Sequence, residues 1–133
     1  MFRASIFEFR ILIQMDLYRE EILEHWQNPN NFGKVADADL VIDQVNPLCG
    51  DQVTFSFKID RGKIKDVAFT GSGCAISVAS SSMLSEYIKG KSIKDLEKLT
   101  GQKVLDLIGG PVAPARLKCV FLPLEVIRKL KDN

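Results

Sequence analysis

Residues Gln52 to Asp60 alternate without a break: Val53, Phe55, Phe57 and Ile59 are apolar, and Gln52, Thr54, Ser56, Lys58 and Asp60 are polar. A period of two over this length predicts a strand with one buried and one wet face. Asp60-Arg61-Gly62-Lys63 follows as a turn, with glycine free to take positive φ. Ile64 to Thr70 (IKDVAFT) then reads as the return strand, and Leu40 to Asn46 (LVIDQVN), short and β-branched, as an earlier one. Three consecutive antiparallel strands make a meander whose apolar face must be covered.

The cover is helical. Asp16 to Gln27 places Leu17, Ile22 or Leu23, and Trp26 near one helical face, and it stops at Asn28-Pro29, since the residue before a proline is pushed out of the helical region. Pro29 to Asp39 reads as loop. Ala75 to Lys89 puts Ile76, Val78 or Ala79, Met83 and Tyr87 on one face, with Gly90 as the stop. Ser92 to Leu99 and Lys103 to Ile108 predict short helices. Gly109-Gly110-Pro111 breaks the chain before a last helix ending near Lys131, which should start close to Cys119 or kink because of Pro123. The expected class is α+β: a three-stranded antiparallel meander, helices on one face, and an N-terminal helix before the sheet.

A chain of 133 residues with 46% apolar and 26% charged side chains suits one soluble domain, taken as 16–133. Residues 1–15 (MFRASIFEFRILIQM) read as an extension. Their uncharged run is too short for a signal-peptide core or a membrane span. One explanation is that synthesis starts at Met15. The alternation of Phe7, Phe9, Ile11 and Ile13 supports another, an edge strand or oligomer contact. Eighteen basic against 17 acidic residues leave a net charge of +1. With the basic residues scattered, no field favours nucleic acid or an anionic membrane.

Three cysteines, none in a CxxC pair, do not make a disulfide framework and fit a reducing, cytoplasmic setting. They fall at junctions. Cys49 and Asp51 lie in Pro47-Leu48-Cys49-Gly50-Asp51, between the first two strands. Cys74 follows Gly71-Ser72-Gly73 and opens the long helix, and Cys119 lies near the start of the last one. A helix start favours thiolate, the form that binds metal and attacks persulfides. Three sulfurs and the Asp51 carboxylate would complete a four-coordinate site. Spacing alone leaves a plainer reading open, in which each thiol packs as a small hydrophobe and Asp51 caps a turn. His25 reads as a helix-end residue, and Ser80-Ser81-Ser82 as helix packing.

Several segments together resemble the IscU/NifU/SufU family of iron–sulfur scaffold proteins. They are Glu24-His25-Trp26-Gln27-Asn28-Pro29-Asn30-Asn31-Phe32-Gly33, Asn46-Pro47-Leu48-Cys49-Gly50-Asp51, Gly71-Ser72-Gly73-Cys74-Ala75-Ile76-Ser77 with Ala79-Ser80-Ser81-Ser82, and Lys118-Cys119. The resemblance implies a three-stranded sheet packed by helices. It also implies a scaffold, not an enzyme in the strict sense, on which sulfur from a cysteine desulfurase and iron are combined into a [2Fe–2S] cluster for iron–sulfur acceptor proteins. By matching position, Cys49, Cys74 and Cys119 are the thiolate ligands and sulfur acceptors. Asp51 matches the aspartate linked to ligation and to keeping the cluster transferable. A monomer or weak homo-oligomer is expected.

Two departures matter. The IscU branch has a histidine where this chain has Lys118, and an ammonium has no lone pair to offer a metal. Its charge is expected to lower the pKa of Cys119 instead. Lysine there resembles the SufU branch, in which Zn2+ occupies the site and sulfur relay is the main role. Yet Cys74 and Cys119 are only 45 positions apart, the short IscU-like spacing. The segment an Hsp70-type chaperone grips in the IscU branch corresponds to Val112-Ala113-Pro114-Ala115-Arg116, which keeps one proline and a basic end.

Overall fold

The computed structural model describes residues 20–46, 50–109, 112 and 114–130. The N-terminal segment 1–15 and Leu17 lie outside them. Three strands, β1 (Leu40–Val45), β2 (Gln52–Asp60) and β3 (Lys63–Ser72), form one sheet in the order β1-β2-β3. Both pairings are antiparallel. Asp60 pairs with Lys63, leaving a two-residue turn at Arg61 (φ 54°) and Gly62 (φ 76°). Positive φ at both central positions gives the turn whose twist matches that of the flanking strands.

Register puts Ile42, Phe55 and Phe69 side by side, with Leu40, Phe57 and Val67 in the next row on the same face. Phe55, Phe57, Val67 and Phe69 are buried, and the Phe55 ring stacks on both Phe57 and Phe69. This face carries helices α2 (Ala75–Ile88) and α5 (Leu117–Leu130), which also pack on each other. Helices α3 (Ile93–Leu96) and α4 (Gly101–Ile108) link them, with Ser92 and Thr100 hydroxyls accepting the N–H of Asp95 and Lys103 as caps. A stretch before the sheet, α1, is helical over 20–27 among the described residues.

The opposite face of the sheet is drier than its polar residues suggest. Ser56 is buried because the 34–39 loop crosses it: the Val35 N–H donates to Ser56 Oγ at 2.9 Å. Among the described residues of the expected apolar face of α1, Ile22 reaches the core, while Leu23 and Trp26 are about half exposed.

Helix α2 departs further from the one-face expectation. Ser77, Ala79, Ser80, Ser81, Ser82, Met83, Leu84, Ser85 and Ile88 are all buried, whereas Ile76, Val78 and Tyr87 are only partly so. The helix is hemmed in by β3, α4, α5 and the 25–31 segment, so its hydroxyls need partners. His25 Nδ1 lies 2.6 Å from Ser82 Oγ, which also accepts the Asn30 N–H at 2.8 Å. The Asn31 amide donates to Ser85 Oγ at 3.1 Å, and the Asn30 amide to Glu86. The His25-to-Asn31 motif is therefore a clasp on α2.

Helix α5 starts two residues before Cys119, after a 3-10 turn at Pro114–Arg116, and Pro123 lies in its interior. An interior proline costs about 3 kcal/mol in a helix. Burial of Val120, Leu122, Leu124, Val126, Ile127 and Leu130 offsets it. Among the described residues, no helix is long and apolar enough to cross a membrane.

Candidate metal centre

Asp51 stands at the mouth of the β1–β2 connection, one residue before β2. The Asn46 N–H donates to the Asp51 carbonyl at 2.8 Å, and the Gly50 N–H to the Asn46 carbonyl at 2.8 Å. These two bonds close the connection and fix where Asp51 leaves it. Its carboxylate is buried, at 4% residue exposure. A charge so placed needs hydrogen-bond donors. Cys74 supplies two: its N–H lies 3.3 Å from Oδ1 and its thiol 3.5 Å from Oδ2. Cys74 is also the N-cap of α2, with extended backbone (φ −73°, ψ 161°), so the carboxylate sits where a helix N-terminus favours negative charge.

Cys119 arrives from α5 and is buried, at 3% exposure. One ligand atom each from Asp51, Cys74 and Cys119 lies within 4.8 Å of the others. Donors around a tetrahedral zinc are about 3.8 Å apart for sulfur ligands at their usual bond length. The three groups therefore need to close by only about an ångström. Two sulfurs with one oxygen form a donor set suited to zinc or to iron–sulfide centres. Of the expected ligands, Asp51, Cys74 and Cys119 come together, and Cys49 lies outside the described residues.

The thiol electrostatics differ from the expectation at Cys119. Its pKa is pushed well above the ordinary thiol range, first by burial and then by hydrogen bonding with Asp51 and Cys74. Desolvation disfavours the thiolate, and a neighbouring carboxylate repels it. Lys118 does not reverse this, because its side chain is exposed and solvent screens its charge. It lines a cavity of about 340 Å³ on the β1 side of α5. A cation bound here would have to displace the Cys119 proton.

One positional requirement was not visible in the sequence. Gly73 has φ +153°, and a Cβ placed there would lie 2.5 Å from Asp51 Oδ1 and 2.6 Å from Cγ. The glycine thus makes room for the carboxylate. Gly73→Ala should cost about 1–3 kcal/mol from backbone strain and displaced side chain, and it should weaken zinc binding by moving Asp51. Thermal melting and zinc titration check both effects; wild-type behaviour in both would contradict this reading.

Comparison with known proteins places these features in a family. The NifU-like N-terminal domain family matches residues 17–130. An Archaeoglobus fulgidus protein named as iron–sulfur cluster assembly scaffold protein IscU 1 is 37% identical over 113 residues, covering 85% of this chain and 73% of that protein. The zinc-dependent sulfurtransferase SufU of Bacillus subtilis is 35% identical over 130 residues, covering 85% and 88%. Among solved structures, the N-terminal part of a nitrogen-fixing NifU-like protein from Brucella abortus superposes with a TM-score of 0.70 at 25% identity, covering 89% of this chain and 96% of that one. All the described elements and the three gathered donors fall within the matched region, and the chain belongs to the NifU-like N-terminal domain family.

Proposed function

We propose that this protein is a scaffold on which [2Fe–2S] clusters are assembled and from which they pass to acceptor proteins. The observation that carries this is the convergence of Asp51, Cys74 and Cys119, from three separate elements, to within 4.8 Å. Cys49, two positions before Asp51 in the sequence, is the fourth donor in this reading. The cluster is cargo, built from iron and from sulfur supplied by a cysteine desulfurase. We assign this role to the cytoplasm, where thiols stay reduced.

Each residue then has a task. Cys74 and Cys119 give up their protons and hold iron as thiolates. Asp51, already at Cys74, takes the place a fourth thiolate would fill. Carboxylate oxygen suits an iron–sulfide centre less well than sulfur does, so the cluster is held loosely enough to leave. Asp51→Cys, which supplies that thiolate, should therefore slow cluster transfer to an apo-ferredoxin by about tenfold, a change of about 1.4 kcal/mol in the barrier. The visible circular dichroism of the acceptor follows the transfer, and an unchanged rate would remove Asp51 from this role.

Lys118 favours a second reading. A lysine in place of the IscU-branch histidine is the SufU-like feature, and the B. subtilis relative is named for zinc dependence and sulfur transfer. Under it, zinc occupies the same donors and one thiolate accepts persulfide sulfur from the desulfurase.

A further inference from the structure

The turn that bears Cys119 is held by a contact from another helix, four residues before a proline inside its own. Ser80, 1% exposed on α2, donates its hydroxyl to the Val120 carbonyl at 2.8 Å. Val120 directly follows Cys119. Pro123, inside α5, has no N–H to donate four residues back, so the helix lacks one rung there although it runs on without a break from Leu117 to Leu130. Helix α2 meanwhile begins at its N-cap Cys74. One helix therefore carries one thiol at its start and, six residues on, grips the turn bearing the other.

We infer that Ser80 and Pro123 are positioning residues for Cys119: the proline removes one backbone rung between the Cys119 turn and the rest of α5, and the serine registers that turn to α2, beside Cys74 and Asp51. The sequence drew attention to both residues, as helix packing and as an irregularity. The arrangement sets the spacing of the two thiols from the buried core, which suits a site that must take up and release the same cargo repeatedly. The inference rests on the proposed function for this last point and for its zinc measurement, but not for its thiol measurement.

The test uses the metal-free full chain. Iodoacetamide alkylation of Cys119 and Cys74 is followed separately by peptide mass spectrometry, with Cys74 as the internal reference. Ser80→Ala should speed Cys119 alkylation relative to Cys74 by about tenfold, the size of one lost hydrogen bond. Pro123→Ala restores an N–H to the ladder and should slow it. Zn2+ affinity, measured by competition with a chromophoric chelator, should fall about tenfold in Ser80→Ala, the scale of losing an outer support of a metal ligand. A lowered melting temperature with an unchanged Cys119-to-Cys74 ratio would make Ser80 merely structural and overturn the inference. Should Ser80→Ala fail to fold, Pro123→Ala decides alone, and an unchanged or faster Cys119 rate there overturns it. If the wild-type protein binds no zinc, the metal-site reading fails, while the alkylation rates still judge the positioning.

Discussion

Cys119→Ser is expected to weaken zinc or iron loading by more than about 100-fold while leaving the metal-free fold in place. Losing even an outer support of a ligand costs 10–100-fold in affinity, and a direct thiolate should cost more. Serine is close in shape to cysteine, and at this buried position its hydroxyl would lie beside the Asp51 carboxylate, so no polar group is stranded. The metal-free variant should therefore unfold within about 1 kcal/mol of wild type. Cys119 is the informative choice because it lies on a distant element from Asp51 and Cys74. Without it, one sulfur and one oxygen remain among the described donors. Equal zinc affinity in wild type and variant would show that Cys119 is a packed thiol and no ligand.

Phe55→Ala should be the most damaging substitution to stability. Its ring is fully buried on the central strand and lies 5.9 Å from Phe57 and 5.6 Å from Phe69, centroid to centroid. Truncating such a residue removes its burial and leaves a cavity, together worth about 3–5 kcal/mol. A domain of this size is stable by only about 5–15 kcal/mol, so the metal-free variant would sit near the edge of folding. Urea unfolding measures the loss, and a change below about 1 kcal/mol would mean that the aromatic stack does not organise the core. Because a ligand of the folded state stabilises by mass action, saturating zinc should recover part of the deficit.

Legibility in the sequence followed how local each determinant is. The β2 alternation, the Arg61-Gly62 turn and the meander depend on neighbouring residues and could be read directly. The junction placement of Asp51, Cys74 and Cys119 was visible too, although only folding brings Cys119 across from α5. Burial all round α2 was not visible. Its serines are polar by type, and their partners at His25, Asn30, Asn31 and Val120 come from distant parts of the chain. The same holds for Gly73, whose constraint is a carboxylate from another strand connection. At Cys119 the expected lowering by Lys118 is not found, because burial and the neighbouring Asp51 and Cys74 push the thiol up. Adjacency in sequence did not reveal that the two side chains occupy different environments.

The most direct measurement is the visible spectrum of metal-free protein after anaerobic incubation with ferrous iron, cysteine and a cysteine desulfurase. The scaffold reading predicts sulfide-to-iron charge-transfer bands that appear only with all three additions and fail to develop in Cys119→Ser. Their absence from the wild-type protein, with one tightly held zinc per chain instead, would contradict it.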